Sequence, residues 1–571
     1  MNKRWVVKEN GHENIISSLS KELNINPILT NLLVQRGIGT FEDARNFFRP
    51  NVTQLHDPFL MKDMDRAVER ITEAIINNEK ILIYGDYDVD GTTSVALVYS
   101  FLKRFYKNVE YYLPCRYAEG YGISFLGIDW AKENGCTLII ALDCGIKANE
   151  KVDYANERGI DFIICDHHRP GDELPDAIAV LDPKRADCFY PFDELSGCGI
   201  GFKLVQAFAS KNNIAFSEIE QYLDLCAISI AADIVPINGE NRVLASIGLS
   251  KINKAPRPGI KAILELANVK KIINISDLVF IIGPRINAAG RMENAKHAVN
   301  LLISNNPEDA LSAGVDINVI NAERKTLDSN ITEHALELIR LDESSHSKKA
   351  TVLYHPEWHK GIIGIVASRL IEKYYRPTIV LTHSNEMITG SARSVKGFDI
   401  YNAIESCADL LEQFGGHKYA AGLTLRPENM DAFSAKFENI VSSTIEDWML
   451  TQEIDIDSEL KLTDVSPSFF KILKQFAPFG PANMTPVFKS VGVYDTGWAK
   501  VVGSKHLKMS LKQYEQNNSI DAIAFGMADY APLISKGIPF DICYTIEENE
   551  WNGNVSLQLN IKDIKINSGK N

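Results

Sequence analysis

Hydrophobic positions along the 571-residue chain change rhythm several times, and each change marks a different architecture. Between about residues 78 and 255, short apolar runs (81–84, 138–142, 161–165) alternate with stretches of helical periodicity. That alternation predicts a parallel sheet covered by helices. From Asn306-Pro307 to Arg340 the pattern stays helical without an interior proline, which predicts one long helix, opened by Pro307, that bridges two lobes. Residues 350 to about 450 restart as α/β, with strands over 351–354 and 378–381 around a helix over 362–375. After about 453 the period becomes two, as in 507–511 and 555–561, the signature of half-buried antiparallel strands and of a small barrel. The expected organisation is α/β: a helical segment over 1–75, a parallel-sheet domain over 76–305, a connecting helix and linker over 306–349, a second α/β domain over 350–452, and a β-barrel domain over 453–571.

The chemistry sits where the apolar runs stop. The first run ends at Gly85 and is followed by three carboxylates at alternate positions, Asp86, Asp88 and Asp90, before a helical pattern from Thr92. A turn and a helix cap account for one or two of these acids. Three crowded together repel one another and call for a divalent cation with oxygen ligands. An EF-hand loop is excluded, because Leu97 stands where its twelfth-position Glu belongs. Asp88-Val89-Asp90-Gly91-Thr92 also resembles the nucleophile motif of haloacid-dehalogenase-type phosphatases, which stays open at this stage. Three further runs end in the same way: 138–142 at Asp143, 161–165 at Asp166-His167-His168, and 226–232 at Asp233. Parallel strands would gather such ends along one sheet edge. Carboxylate and imidazole donors suit Mn²⁺ or Mg²⁺, and no cysteine cluster argues for zinc.

Composition narrows the setting. Nine cysteines without a Cys-x-x-Cys pair, no apolar run of membrane-span length and no signal-like apolar core near the N-terminus lead to the expectation of a reduced, cytoplasmic protein. A net charge of −14 argues against a generic nucleic-acid binder. Arg285, Arg291, Arg369 and Arg393 could still supply local positive charge. There is no Gly-Lys-Ser/Thr phosphate loop. The glycines at 197, 199 and 201 lack the sixth-position glycine of a dinucleotide fingerprint, and His355-Pro356-Glu357-Trp358-His359 reads as a loop, not a zincin. Gly415-Gly416-His417 reads either as a helix stop and turn or as backbone opened toward a phosphate.

In order and approximate spacing, Asp-Tyr-Asp-Val-Asp-Gly, Asp143-Cys144-Gly145, Asp166-His167-His168 and Ala232-Asp233 resemble the four motifs of the DHH phosphoesterases, in their long, single-strand-specific exonuclease form. Segments 113–122, 283–292, 361–369 and 414–422 are similar to that branch as well. The resemblance implies two divalent ions, Mn²⁺ or Mg²⁺, held by Asp88, Asp90, Asp143, His167 and Asp233, with Asp143 bridging. Asp86 is the further metal candidate, standing in for a histidine used by the pyrophosphatase branch where this chain has Tyr84. His168 is expected to face the phosphate, and Asp166 to orient a ring from behind. Arg116, Ser391, Arg393, Gly415, Gly416 and His417 would hold a terminal 5′-phosphate, and Arg285, Asn287 and Arg291 the following phosphates. The implied activity is 5′-to-3′ degradation of single-stranded DNA to 5′-mononucleotides in DNA repair and recombination, by a monomer without membrane contact. A single-strand-binding protein and a helicase are the candidate protein partners, and the barrel is expected to be of the oligonucleotide-binding kind. A phosphodiesterase of short oligonucleotides or cyclic dinucleotides, and a DNA-binding scaffold with a decayed site, are the competing classes.

Overall fold

The computed structural model describes residues 3–292, 294–513, 518–551 and 553–566. Two compact units contain them: one joins residues 1–54, 236–238 and 453–571, the other takes 55–235 and 239–452. The divisions expected at 75, 305 and 349 fall inside the second unit, and the one at 452 falls between the units.

The larger unit holds a parallel five-stranded sheet in the order Val109–Tyr112, Lys80–Gly85, Cys136–Leu142, Asp161–Cys165, Ala179–Leu181. Its strands are apolar at successive positions because both faces are buried. Leu82, Ile139 and Phe162 pack against Ile128, Val152 and Ile160, while Ile83, Ile140 and Ile163 on the opposite face are equally inaccessible. The helix expected from Thr92 begins earlier, at Val89–Phe105, because Asp88 takes the N-cap and accepts from the Gly91 amide at 3.0 Å.

The run before Asp233 differs more. It lies in a helix, Leu223–Ala232, not in another strand of the sheet. Leu225, Ile228 and Ile230 are all fully buried, and a segment apolar on every side carries no period to separate helix from strand. The long helix runs over Pro307–Leu341 as the sequence predicts, with Asn306 Oδ1 accepting from Glu308 N at 2.9 Å.

Beyond it lies a mixed sheet ordered Gln413–His417, Ala420–Leu425, Met387–Arg393, Thr378–Ser384, Thr351–Tyr354, parallel at the last pair alone. Gly415, Gly416 and His417 are neither a helix stop nor a free loop. They form an edge strand, with Gly415 opposite Gly422 and His417 opposite Ala420. In the smaller unit, Phe488–Asp495, Phe540–Trp551, Asn554–Ile566, Ile520–Ala524 and His506–Gln513 pair in sequence, and the first also pairs with the last, so the sheet closes on itself. Helices from the chain's first 54 residues share its core: Leu19, Leu29 and Leu33 cluster with Phe476, Phe488 and Tyr544. The strand Arg4–Val7 within the segment read as helical pairs in parallel with Glu453–Ile456.

Candidate active site

Three strands of the parallel sheet deliver acids to one edge. Asp86 follows Lys80–Gly85, Asp143 follows Cys136–Leu142, and Asp166-His167-His168 follow Asp161–Cys165. Asp233 arrives from another direction, as the C-cap of Leu223–Ala232. His167 Nε2 stands at the centre, 3.2 Å from Asp143 Oδ1, 3.5 Å from Asp233 Oδ2 and 3.8 Å from Asp90 Oδ2. Donor atoms of Asp90, His167 and Asp233, and of Asp143, His167 and His168, form two groups each within 4.8 Å.

Asp90 is fixed from behind. Its carboxylate accepts from the amides of Gly197 at 2.7 Å and Cys198 at 2.8 Å and from Ser229 Oγ at 2.7 Å. The glycine-rich start of the Gly197–Lys211 helix thus uses its amides to hold a carboxylate. A Cβ on Gly197 would lie 2.7 Å from that of Asp143, so only glycine lets this helix come so close. Two neighbouring backbones are strained: Asp143 at φ 60° and Ile234 at φ 61°, the latter the one β-branched residue of positive φ among the described residues.

The electrostatics require compensation. Burial and the repulsion of Asp90, Asp88 and Asp233 push the Asp143 carboxyl well up. Burial, with repulsion from Asp90 and Asp88, pushes Asp233 up to about 8, and burial with Asp88 raises Asp86. Burial and Asp90 raise Asp88, which places it in the same acid cluster. Asp143 Oδ1, Asp86 Oδ2 and both ring nitrogens of His167 are buried without a hydrogen-bond partner. Unpaired acceptors this crowded cost several kcal/mol in order of magnitude unless a cation joins them. Carboxylate oxygens with one or two imidazole nitrogens match a hard divalent ion, so the residues fit Mn²⁺ or Mg²⁺.

Behind this cluster, Asp166 Oδ1 accepts from the His168 backbone amide and meets His168 Nδ1 at 2.7 Å. Burial opposes charge on that ring, yet the contact with Asp166 prevails and holds the His168 pKa up to about 9. Its other nitrogen lies 3.4 Å from Tyr121 Oη.

A basic wall faces the acids. Burial, with repulsion from Arg116, Arg393 and Arg324, pushes Arg291 down to about 10. Among the described residues none of Arg116, Arg291 and Arg393 pairs with a carboxylate. Arg116 lies over the Tyr87 ring at 5.2 Å, Arg291 Nη1 donates to Gly361 O at 3.1 Å, and Arg393 Nη1 meets Ser391 Oγ at 3.3 Å. A Cβ on Gly364 would stand 2.8 Å from Ser391 Oγ, so the start of the Ile363–Lys373 helix closes on the same spot. His417 lies within electrostatic range of His168, which joins burial in lowering its pKa.

Arg285 and Asn287 share the Gly283–Met292 helix with Arg291, and Arg285 Nε donates to Asn318 Oδ1 at 3.2 Å. Arg369 is the exception among the expected cations, since Asp328 takes its charge at 2.6 Å. Pattern reading passes over Arg324 and Tyr121. Arg324 is a mid-helix arginine with no local signal, whereas Tyr121 lies in a segment whose glycines, Gly120 and Gly122, both adopt positive φ.

Residues 80–230 match the DHH family, N-terminal domain, residues 347–443 the DHHA1 domain, and residues 456–563 the RecJ OB domain. The chain is 36% identical over 569 residues to the single-stranded-DNA-specific exonuclease RecJ of Bacillus subtilis (strain 168), spanning 99% of this chain and 71% of that protein. To the protein of the same name from Salmonella typhimurium it is 34% identical over 558 residues, 94% of this chain and 96% of the other. The crystal structure of RecJ in complex with Mn²⁺ from Thermus thermophilus matches at a TM-score of 0.85 and 26% identity, over 98% of this chain and 79% of that one. A metal-shaped acid edge, the basic wall opposite it and full-length similarity lead to one assignment: the chain belongs to the RecJ family of single-stranded-DNA-specific exonucleases, within the DHH phosphoesterases.

Proposed function

We propose that the chain hydrolyses single-stranded DNA from its 5′ end, releasing 5′-mononucleotides, with Mn²⁺ or Mg²⁺ held by Asp88, Asp90, Asp143, His167 and Asp233 and with Asp86 completing the acid set. The observation that carries this reading is the pairing of opposites: unsatisfied carboxylate and imidazole acceptors on one side, and arginines without acid partners on the other. A phosphodiester, anionic yet attacked by an oxygen nucleophile, needs both. Held by these carboxylates and by His167, two cations would lower the pKa of a water and offset charge building on the phosphoryl oxygens.

The chain's own groups do the rest. His168, kept charged by Asp166, donates toward a non-bridging phosphoryl oxygen and gains strength as charge accumulates there. Arg116, Ser391 and Arg393 grip the 5′-phosphate, with His417 and the Gly415–Gly416 backbone at the edge, so the first internal linkage lies over the metal ligands. Arg285, Asn287 and Arg291 take the next phosphates. A fork of arginines and amides recognises a terminal phosphate by its extra charge, which is what favours the 5′ end.

The deciding experiment incubates single strands labelled at the 5′ or the 3′ end with the protein and Mn²⁺. Immediate release of labelled mononucleotide from 5′-labelled strands, with 3′ label retained in shortening products, is the expected result. Release of the 3′ label first would overturn the polarity.

A further inference from the structure

We propose that this chain carries a second ligand site, remote from the nuclease centre and independent of the nuclease reading, which binds a nucleoside monophosphate. The place is a cavity of about 720 Å³ at the far end of the Val89–Phe105 helix. Asp88 caps the near end of that helix, and Lys103 comes 15 residues later, about 22 Å along the axis at 1.5 Å per residue. The volume is within the usual range for small-molecule sites.

Its wall is built from Tyr99, Lys103, Arg104, Tyr222, Lys251 and Arg257, with Asp224 the one carboxylate lining it. Four cations against one acid is a local inversion in a chain of net charge −14. The acid is already spent, because buried Asp224 binds Arg257 through two contacts of 2.7 and 2.6 Å. Arg104 is likewise spent on Glu218 at 2.5 Å. Two amines keep capacity. Lys103 Nζ donates to Lys107 O at 2.7 Å and Val109 O at 2.8 Å, which leaves a third proton. Lys251 has no ion-pair partner among the described residues.

A plainer account assigns Lys103 and Lys251 to the negative ends of their helices, since each sits in a last turn. It leaves out the first turn of Pro258–Leu266, whose N-cap residue Arg257 has its charge taken by Asp224 and whose amides no side chain caps. Positive field from that helix and positive side chains therefore meet in one concavity, and an anion relieves both. Tyr99 adds an aromatic face, with Lys103 Nζ 5.6 Å from its ring centre, while Tyr222 is buried. A phosphate monoester joined to a flat ring matches what remains free on this wall: the amines of Lys103 and Lys251 for the phosphate, the Tyr99 ring for the base.

The test titrates dAMP, and separately inorganic phosphate, into the full chain in EDTA, following binding by calorimetry. An Arg393→Ala background weakens the 5′-phosphate pocket, so binding that survives there and responds to Lys251 belongs to the second site. Binding of dAMP is expected to persist in that background and to weaken at least tenfold on adding Lys251→Glu, with Lys251→Gln giving a smaller loss. Neither Lys251 variant should alter nuclease rate on saturating single strands, and Lys251→Gln should keep the parent's melting midpoint. Loss of all dAMP binding in Arg393→Ala overturns the second site, as does an isotherm unmoved by either Lys251 variant. Inorganic phosphate binding as tightly as dAMP overturns the nucleoside assignment.

Discussion

The two faces of the cleft in the larger unit were built by different means. The acidic face stands on a parallel sheet, and each of its strand-borne acids occupies the loop just after a buried strand. The basic face stands mainly on a mixed sheet and helices, and most of its groups project from within elements: Ser391 and Arg393 two apart on one strand, Arg285 and Arg291 on one helix, His417 on an edge strand, with Arg116 in a turn. The acids are locked by backbone amides and by a glycine approach that tolerates no Cβ. The arginines are held by one or two contacts each to neutral oxygens. Chemistry that must place cations to a fraction of an ångström is set on rigid strand ends, while a flexible chain of phosphates meets longer side chains that adjust.

That contrast can be broken by mutation. Asp143→Ala should lower Mn²⁺-dependent hydrolysis by roughly 10³-fold or more, with circular dichroism unchanged, because it removes the group closest to His167 Nε2. Near-normal turnover would remove Asp143 from the centre. Arg393→Ala on the basic face should cost roughly 10- to 100-fold in kcat/KM on 5′-phosphorylated strands, the worth of one charged hydrogen-bonding partner, and little on 5′-hydroxyl strands. Equal losses on both would show that Arg393 does not read the terminal phosphate.

Charge regulation offers a gentler comparison. In EDTA the raised carboxyl of Asp233, near 8, holds a proton that the unfolded chain releases at lower pH, so folding stability falls as pH rises through that value. His168, raised to about 9, contributes stability that is complete below its ordinary value near 6.5 and is lost as pH passes 9. Both act in the same direction from pH 6.5 to about 8, and His168 alone from there to 9, above the range where buried, neutral His167 opposes them. The melting midpoint of the metal-free protein should therefore drop across that window, and Mn²⁺ should reverse the slope, since deprotonated ligands bind it better. A metal-free midpoint that rises from pH 6.5 to 9 would contradict the clustered acids. The smallest effect belongs to Arg369→Ala. Its charge already belongs to Asp328, so KM for single strands should stay within about twofold while stability drops by about 1 kcal/mol. A large rise in KM would return Arg369 to the substrate path.

Much of this was legible in one dimension, and unevenly. Asp86, Asp88, Asp90, Asp143 and the Asp166–His168 triplet announce themselves because a buried strand is a short apolar run and whatever follows it lies at the sheet edge. Asp233 was found by the same rule for the wrong reason, since its run is a helix buried on all sides. The roles proposed for the arginines came through family resemblance: an arginine within a helix or strand looks the same whether it is left without an acid partner, like Arg291, or serves a buried acid, like Arg369.

The sequence by itself determined the strands that end at Asp86, Asp143 and Asp166, those over 351–354 and 378–381, the long helix from Pro307, and which acids would meet at the first sheet's edge, because apolar periodicity and chain punctuation are local properties. Tertiary structure alone decided that Gly415–His417 would be an edge strand, that residues 1–54 would share a core with the closed barrel, and which arginines would remain without an acid partner. The edge strand depends on a hairpin partner that itself needs the rest of the sheet, the shared core on residues hundreds of positions apart, and charge compensation on whichever groups packing brings within a few ångströms.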